Sequence, residues 1–147
     1  MAFAVPGTID ISSGKTLQAV NLPAWEKVNV KKLFRVNSAD HNPLCIPETL
    51  AHTYAEYLHC APDFPKSLFH ARFSEGIGSG FINNGELLIG NRCASMELGH
   101  LVLLPTGRRC RCGNRGCLEA MAGGAALKQM MQELVESGVN SKLDMEN

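Results

Sequence analysis

The chain has 147 residues, 45% of them hydrophobic and 19% charged, with 14 basic and 14 acidic side chains. A chain of that size and composition buries roughly 70% of its unfolded surface, which excludes a disordered or fibrous protein. Zero net charge excludes a global basic field for nucleic acid, and no apolar run reaches the roughly 20 residues that span a bilayer.

The opening "MAFAVPGTID" has no charged segment ahead of an apolar one, so it is not a secretory signal. A reducing cytoplasm is therefore expected, in which the six cysteines are thiols or metal ligands rather than disulfides. "FAVPGTIDISSGKTLQAVNLP" reads as a strand, a Pro-Gly turn and a further extended piece after Gly14. The segment "WEKVNVKKLFRVNS" predicts a helix with Val28, Leu33, Phe34 and Val36 facing inward. "PLCI" suits a buried strand, and Pro47 opens a second helix carrying Leu50, Tyr54, Tyr57 and Leu58 at helical spacing. "SLFHARF" and "GSGFINNGELLIG" predict two strands around a glycine-rich corner, with "NNG" as a hairpin turn. "MELGHLVLL" reads as another strand. From Gly116 the pattern turns helical, with Leu127, Met130, Met131 and Leu134 on one face, the Met130-Met131 pair reading as core or dimer-contact material, and Gly138 as the stop. The whole is mixed α/β, with no internal repeat, and its abrupt first strand resembles entry into the middle of a sheet.

Between His100 and Cys117 lie one histidine and three cysteines, the latter as C-x-C-x4-C at Cys110, Cys112 and Cys117. A structural zinc takes four such ligands in a tetrahedron and leaves no open position for catalysis. Arg108, Arg109, Arg111 and Arg115 would soften the charge of three thiolates, and the five arginines from Arg92 to Arg115 otherwise read as a solvated loop. A disulfide is disfavoured, because adjacent C-x-C cysteines bridge poorly. The alternative is three buried or free cysteines beside an unrelated histidine. Cys45, Cys60 and Cys93 read as small buried hydrophobes. His41, His52, His59 and His70 show no ligand spacing, Trp25 reads as a packing aromatic, and Asn21 is a weaker candidate for a sugar hydroxyl.

"MELGHLVLLPTGRRCRCGNRGCLEA" closely resembles the signature of the ROK family of repressors, open reading frames and sugar kinases, which reads G-E-x-G-H and then C-x-C-G-x-x-G-C-x-E. "VPGTIDISSGKTLQAVNLPAW" and "EGIGSGFINNGELLIG" resemble further family segments, so the likeness covers nearly the whole chain while the chain covers only the middle of the family. The resemblance implies part of an actin-like, ribonuclease H-like ATPase fold of the sugar kinases, with a zinc-binding loop. It implies residues 1–70 as a remnant of the N-terminal kinase-like domain and 71–147 as the start of the C-terminal one. It implies zinc on His100, Cys110, Cys112 and Cys117, and a sugar contacted by Glu97, His100 and Glu119.

A kinase of this family also needs a D-x-G-x-T loop, which the resemblance places ahead of Met1, a G-T-G phosphate loop and an Asp base in E-N-D-x-N. Gly76, Gly78 and Gly80 lie in the second loop, but Ser74 and Glu75 stand where kinases carry Gly-Thr, and Glu75 places negative charge beside a triphosphate. For the base, "SADHN" offers Asp40, whereas an alignment on "PETLAHTYAE" keeps the spacing and offers Glu48. The bland readings are a polar turn residue for Asp40 and a first-turn carboxylate for Glu48. Met96 replaces the usual Gly of the signature. These departures resemble the repressor branch, where the kinase fold senses sugar and a separate helix-turn-helix reads DNA. Residues 1–147 carry no such segment. The expectation is a sugar-sensing module with structural zinc and no kinase activity, forming a homo-oligomer and touching DNA only through a domain outside this chain. The alternative is an ATP- and Mg²⁺-dependent hexose kinase or a fragment of one.

Overall fold

Val5 and Ile9 flank the Pro-Gly corner, and the alternation around them turns one side of each strand toward a common core. In the computed structural model, which describes residues 2–19, 22–35, 43–90, 93 and 95–140, β1 (Ala2–Val5) pairs in parallel with β4 (Leu44–Pro47). β2 (Thr8–Asp10) and β3 (Lys15–Gln18) form an antiparallel pair. Val5, Ile9, Val30 and Cys45 make the buried core, with Phe3, Ile11 and Val28 packed against it. Each buried Val or Ile is worth roughly 1.5–3 kcal/mol over an exposed one.

The chain divides into two compact units, Met1–Arg72 with Gly78–Glu97, and Phe73–Ile77 with Leu98–Asn147. In the first, α1 covers only Val30–Arg35. Its buried residue is Val30, whereas Leu33 is 57% exposed and Phe34 instead stacks on Phe3 at 4.1 Å between ring centres. The predicted inward face was displaced because the helix starts late. Buried Thr16 ties down the preceding turn, donating through its hydroxyl to the Trp25 carbonyl and accepting from the Val28 N–H at 2.9 Å. Trp25 is 37% exposed and does not pack inside. Val36 lies outside the described residues.

Pro47 ends β4 and caps α2 (Glu48–His59), whose buried residues are Leu50 and Thr53, while Tyr54 and Leu58 face outward. β5 (Ser67–Phe73), β6 (Ile77–Asn83) and β7 (Glu86–Leu87) form the third sheet in that order. Asn84 and Gly85, both at positive φ (50° and 79°), make the tight β6–β7 turn expected from "NNG". Cys45 is buried as expected, but Cys60 and Cys93 are only half-buried.

In the second unit the predicted "MELGHLVLL" strand is absent. Leu98–His100 forms a 3-10 turn and only Val102 makes a strand-type bridge, to Cys117. The helical stretch breaks at Gly123 into α3 (Leu118–Ala122) and α4 (Gly124–Glu136). Ala126 is the buried residue of α4, whereas Leu127, Met130 and Leu134 are exposed. The predicted apolar face is thus largely exposed among the described residues. Gly138 (φ 89°) follows the end of α4. No helix among the described residues is long and apolar enough to cross a membrane.

Candidate functional site

The cysteine segment is a narrow ribbon. The Leu103 N–H donates to the Gly116 carbonyl at 2.8 Å, the Gly116 N–H to Arg108 at 2.8 Å, and the Cys110 N–H to Asn114 at 2.8 Å. Gly116 sits at φ +67°, and a Cβ there would come within 1.5 Å of the Leu104 oxygen. Only glycine lets the two limbs approach this closely. His100 is delivered by its 3-10 turn, in which buried Gly99 lies under the Ile77 carbonyl with room for no side chain.

This folding gathers His100, Cys110, Cys112 and Cys117 so that their ligand atoms all lie within 4.8 Å of one another. Cys112 Sγ is 3.7 Å from Cys117 Sγ, and Cys110 Sγ is 3.7 Å from His100 Nδ1. Thiolates at about 2.3 Å and an imidazole at about 2.0 Å from one tetrahedral ion stand about 3.5–3.8 Å apart. The donor set and its spacing therefore fit one metal ion, and no second such cluster occurs among the described residues. Burial pushes the Cys117 thiol up to about 12, and the two neighbouring sulfurs add to the rise. Burial also raises Cys110. At Cys112 burial acts upward too, but the Asn114 amide and the contacts with the other sulfurs outweigh it and the net direction is down. Ionising all three sulfurs this close together would take a cation among them.

Glu119 lies in the first turn of α3, two residues after Cys117, and its Oε2 accepts a hydrogen bond from the Ile77 N–H at 2.8 Å. The Gly124 N–H donates to the Ser74 carbonyl at 2.7 Å and the Ala125 N–H to Glu75 at 3.3 Å. The start of α4 and the Glu119 carboxylate thus hold the Ser74–Ile77 segment from two sides. Glu97 is exposed and immediately precedes the His100 turn.

Gly76 falls in the β5–β6 turn, but Gly78 and Gly80 are inside β6. A Cβ on Gly78 would meet Thr49 Oγ1 at 2.7 Å, and one on Gly80 would meet Thr53 Oγ1 at 2.1 Å. Both glycines let α2 lie close on the strand. Asp40 lies outside the described residues, as do Asn21 and His41. Glu48 opens α2, where its Oε1 accepts from Arg72 Nη1 at 2.9 Å, and the same Nη1 lies 3.1 Å from His52 Nδ1. His70 Nδ1 is 3.1 Å from Thr53 Oγ1.

Sequence reasoning missed Arg72, whose partner is 24 positions away on another element and leaves no local pattern. It also missed the two-pronged Arg108–Glu133 ion pair that fastens the ribbon to α4. Met96 was noted only as a departure from glycine; the structure gives the reason glycine suits the position, because Met96 has φ 59°. Its carbonyl accepts from the hydroxyl of buried Ser79.

A profile described as the ROK family matches residues 1–146. The chain is 31% identical over its full length to the DNA-binding transcriptional dual regulator NagC of Escherichia coli K12, covering 36% of that protein. It is 32% identical to the glucokinase of Thermotoga maritima over 87% of its own length and 40% of the enzyme's. Among solved structures, the ROK hexokinase of Thermus thermophilus superposes with a TM-score of 0.74 at 32% identity, over 89% of this chain and 43% of that one. The chain thus spans little more than a third of the length of the curated relatives it matches, and its mixed α/β elements are part of the actin-like ATPase fold of the sugar kinases. On the profile match over residues 1–146, the chain belongs to the ROK family.

Proposed function

We propose that this chain is a sugar-sensing module of the transcriptional-regulator type, cross-linked by a structural zinc ion and without phosphoryl-transfer activity. The observation that carries this reading is Glu48. On the alignment that sets Glu48 at the position of the kinase base, its carboxylate oxygen is committed to Arg72. A general base must have that oxygen within reach of the sugar hydroxyl and ready to take its proton. On that alignment the side chain is also one methylene longer than the family's aspartate. Ser74 and Glu75 in the second loop point the same way, because a carboxylate beside the γ-phosphate opposes the charge that builds there.

Zinc is the ion of choice for three thiolates and one imidazole, and its closed shell would cross-link the ribbon rather than activate water. His100 turns Nδ1 to the sulfurs, so the geometry of imidazole aims its other nitrogen away from the metal. There it would join Glu97 and Glu119 at sugar hydroxyls. DNA recognition is assigned to another segment of such a regulator, and assembly is expected through copies of this fold.

The second reading, a hexose kinase or part of one, draws on the 32% identity to the hexokinase. Gly76, Gly78 and Gly80 would then carry ATP-Mg²⁺, with Asp40 or Glu48 as base. Turnover separates the two. With zinc-loaded protein, ATP and a hexose panel, the sensing reading expects no ADP above background, and hexose-dependent ADP release would overturn it.

A further inference from the structure

The ribbon carries more positive charge than a metal cluster can use. Residues 98–118 contain four arginines and no acidic residue, in a chain whose total charge is zero. Three thiolates on a divalent ion leave one net negative charge, which one arginine offsets, and Arg108 is taken up by Glu133. Two positive charges remain in excess. Arg109 and Arg115 face each other across an antiparallel bridge, and among the described residues neither makes an ion pair. Like charges directly opposite on paired strands cost stability, so packing does not account for them.

The base of the same ribbon is apolar and open. Leu101 and Leu103 are each 55% exposed, Val102 and Leu104 somewhat less. Backbone bonds from Leu103 to Gly116 and from Leu118 to Leu101 make this base continuous with the arginine tip. Apolar side chains rimmed by arginines match the composition of protein interfaces. A phosphate backbone would satisfy the arginines but leave four apolar side chains in water. A second copy docked through the same face about a two-fold axis would set arginine tip near arginine tip.

We propose that residues 101–115 form a docking surface for a protein segment that carries carboxylates beside apolar side chains. The proposal is independent of the sugar reading, since it needs only the folded ribbon.

The test is fluorescence anisotropy on the full, zinc-loaded chain with three probes: an amphipathic peptide of Glu and Leu, the same peptide with Ser for Leu, and a short duplex DNA. The Glu/Leu peptide is expected to bind most tightly and to weaken with salt. An Arg109→Gln/Arg115→Gln double variant should weaken it about tenfold or more, and Leu103→Ser comparably. These side chains are exposed, so zinc content and circular dichroism should stay unchanged; if the arginine variant loses zinc, Leu103→Ser decides. Duplex binding that matches the peptide and ignores Leu103→Ser would reassign the surface to nucleic acid. Peptide affinity unmoved by both variants would remove the surface altogether. A native mass that drops on Leu103→Ser would show a second copy covering the face, and would equally overturn the proposal.

Discussion

The Glu119 carboxylate accepts the Ile77 N–H at 2.8 Å, joining the helix that follows the last cysteine to the first residue of β6. The side chain proposed to hold sugar is therefore also a clamp on the glycine-rich loop. A hydrogen bond from a backbone amide to a charged acceptor contributes about 1.5–3 kcal/mol when partly shielded. Glu119→Ala should lose about that much stability in urea unfolding and speed hydrogen exchange at Ile77. Glu119→Gln keeps an acceptor oxygen and should retain most of the stability.

Met96→Gly should stabilise the protein. A side chain in the left-handed region costs roughly 1–2 kcal/mol, whereas glycine adopts φ near 59° without penalty. Part of the gain is lost to the greater freedom of glycine in the unfolded chain. The expected net effect is up to about 1 kcal/mol, a rise in Tm of about 2–4 °C for a chain of this size. An unchanged or lower Tm would mean that packing of the methionine outweighs the strain.

Asp10 gives a pH signature. The hydroxyls of Ser12 and Ser13, and then their backbone amides, hold its carboxyl at about 2, below its ordinary 3.8. A folded-state value below the unfolded one contributes stability that is present above pH about 4 and is lost as the pH falls toward 2. Asp10→Asn should melt below the native chain at pH 7, and the two Tm values should converge between pH 4 and 2. A gap that stays constant across that range would contradict the assignment.

The ribbon should depend on its metal. One zinc per chain is expected by elemental analysis. A chelator should lower Tm by many degrees, since binding energy at such a site is folding energy. Cys112→Ser removes one ligand and should reduce zinc content and stability together, and acidification should release zinc as the thiols reprotonate. A variant with full zinc and full stability would refute the ligand set.

The metal cluster was legible in the sequence because its spacing is local: three cysteines within eight residues can converge only by a tight ribbon, and glycine marks where it turns. The β6–β7 hairpin was legible for the same reason, since Asn84-Gly85 encodes its own backbone angles. Inward faces were less so. Leu33 follows helical periodicity yet lies 57% exposed, because periodicity reports that a face is apolar and not what packs on it. Arg72 was invisible, since its meeting with Glu48 depends on how β5 lies along α2. Gly78 and Gly80 look alike in sequence whether they approach a phosphate or a threonine, and only the distances to Thr49 and Thr53 reveal the second role.

The central claim, sensing without phosphoryl transfer, is tested most directly by titration calorimetry of the zinc-loaded chain with glucose, N-acetylglucosamine, xylose and ATP. The account predicts heat from at least one sugar, abolished by Glu119→Ala, and none from ATP-Mg²⁺. Micromolar ATP binding would contradict it.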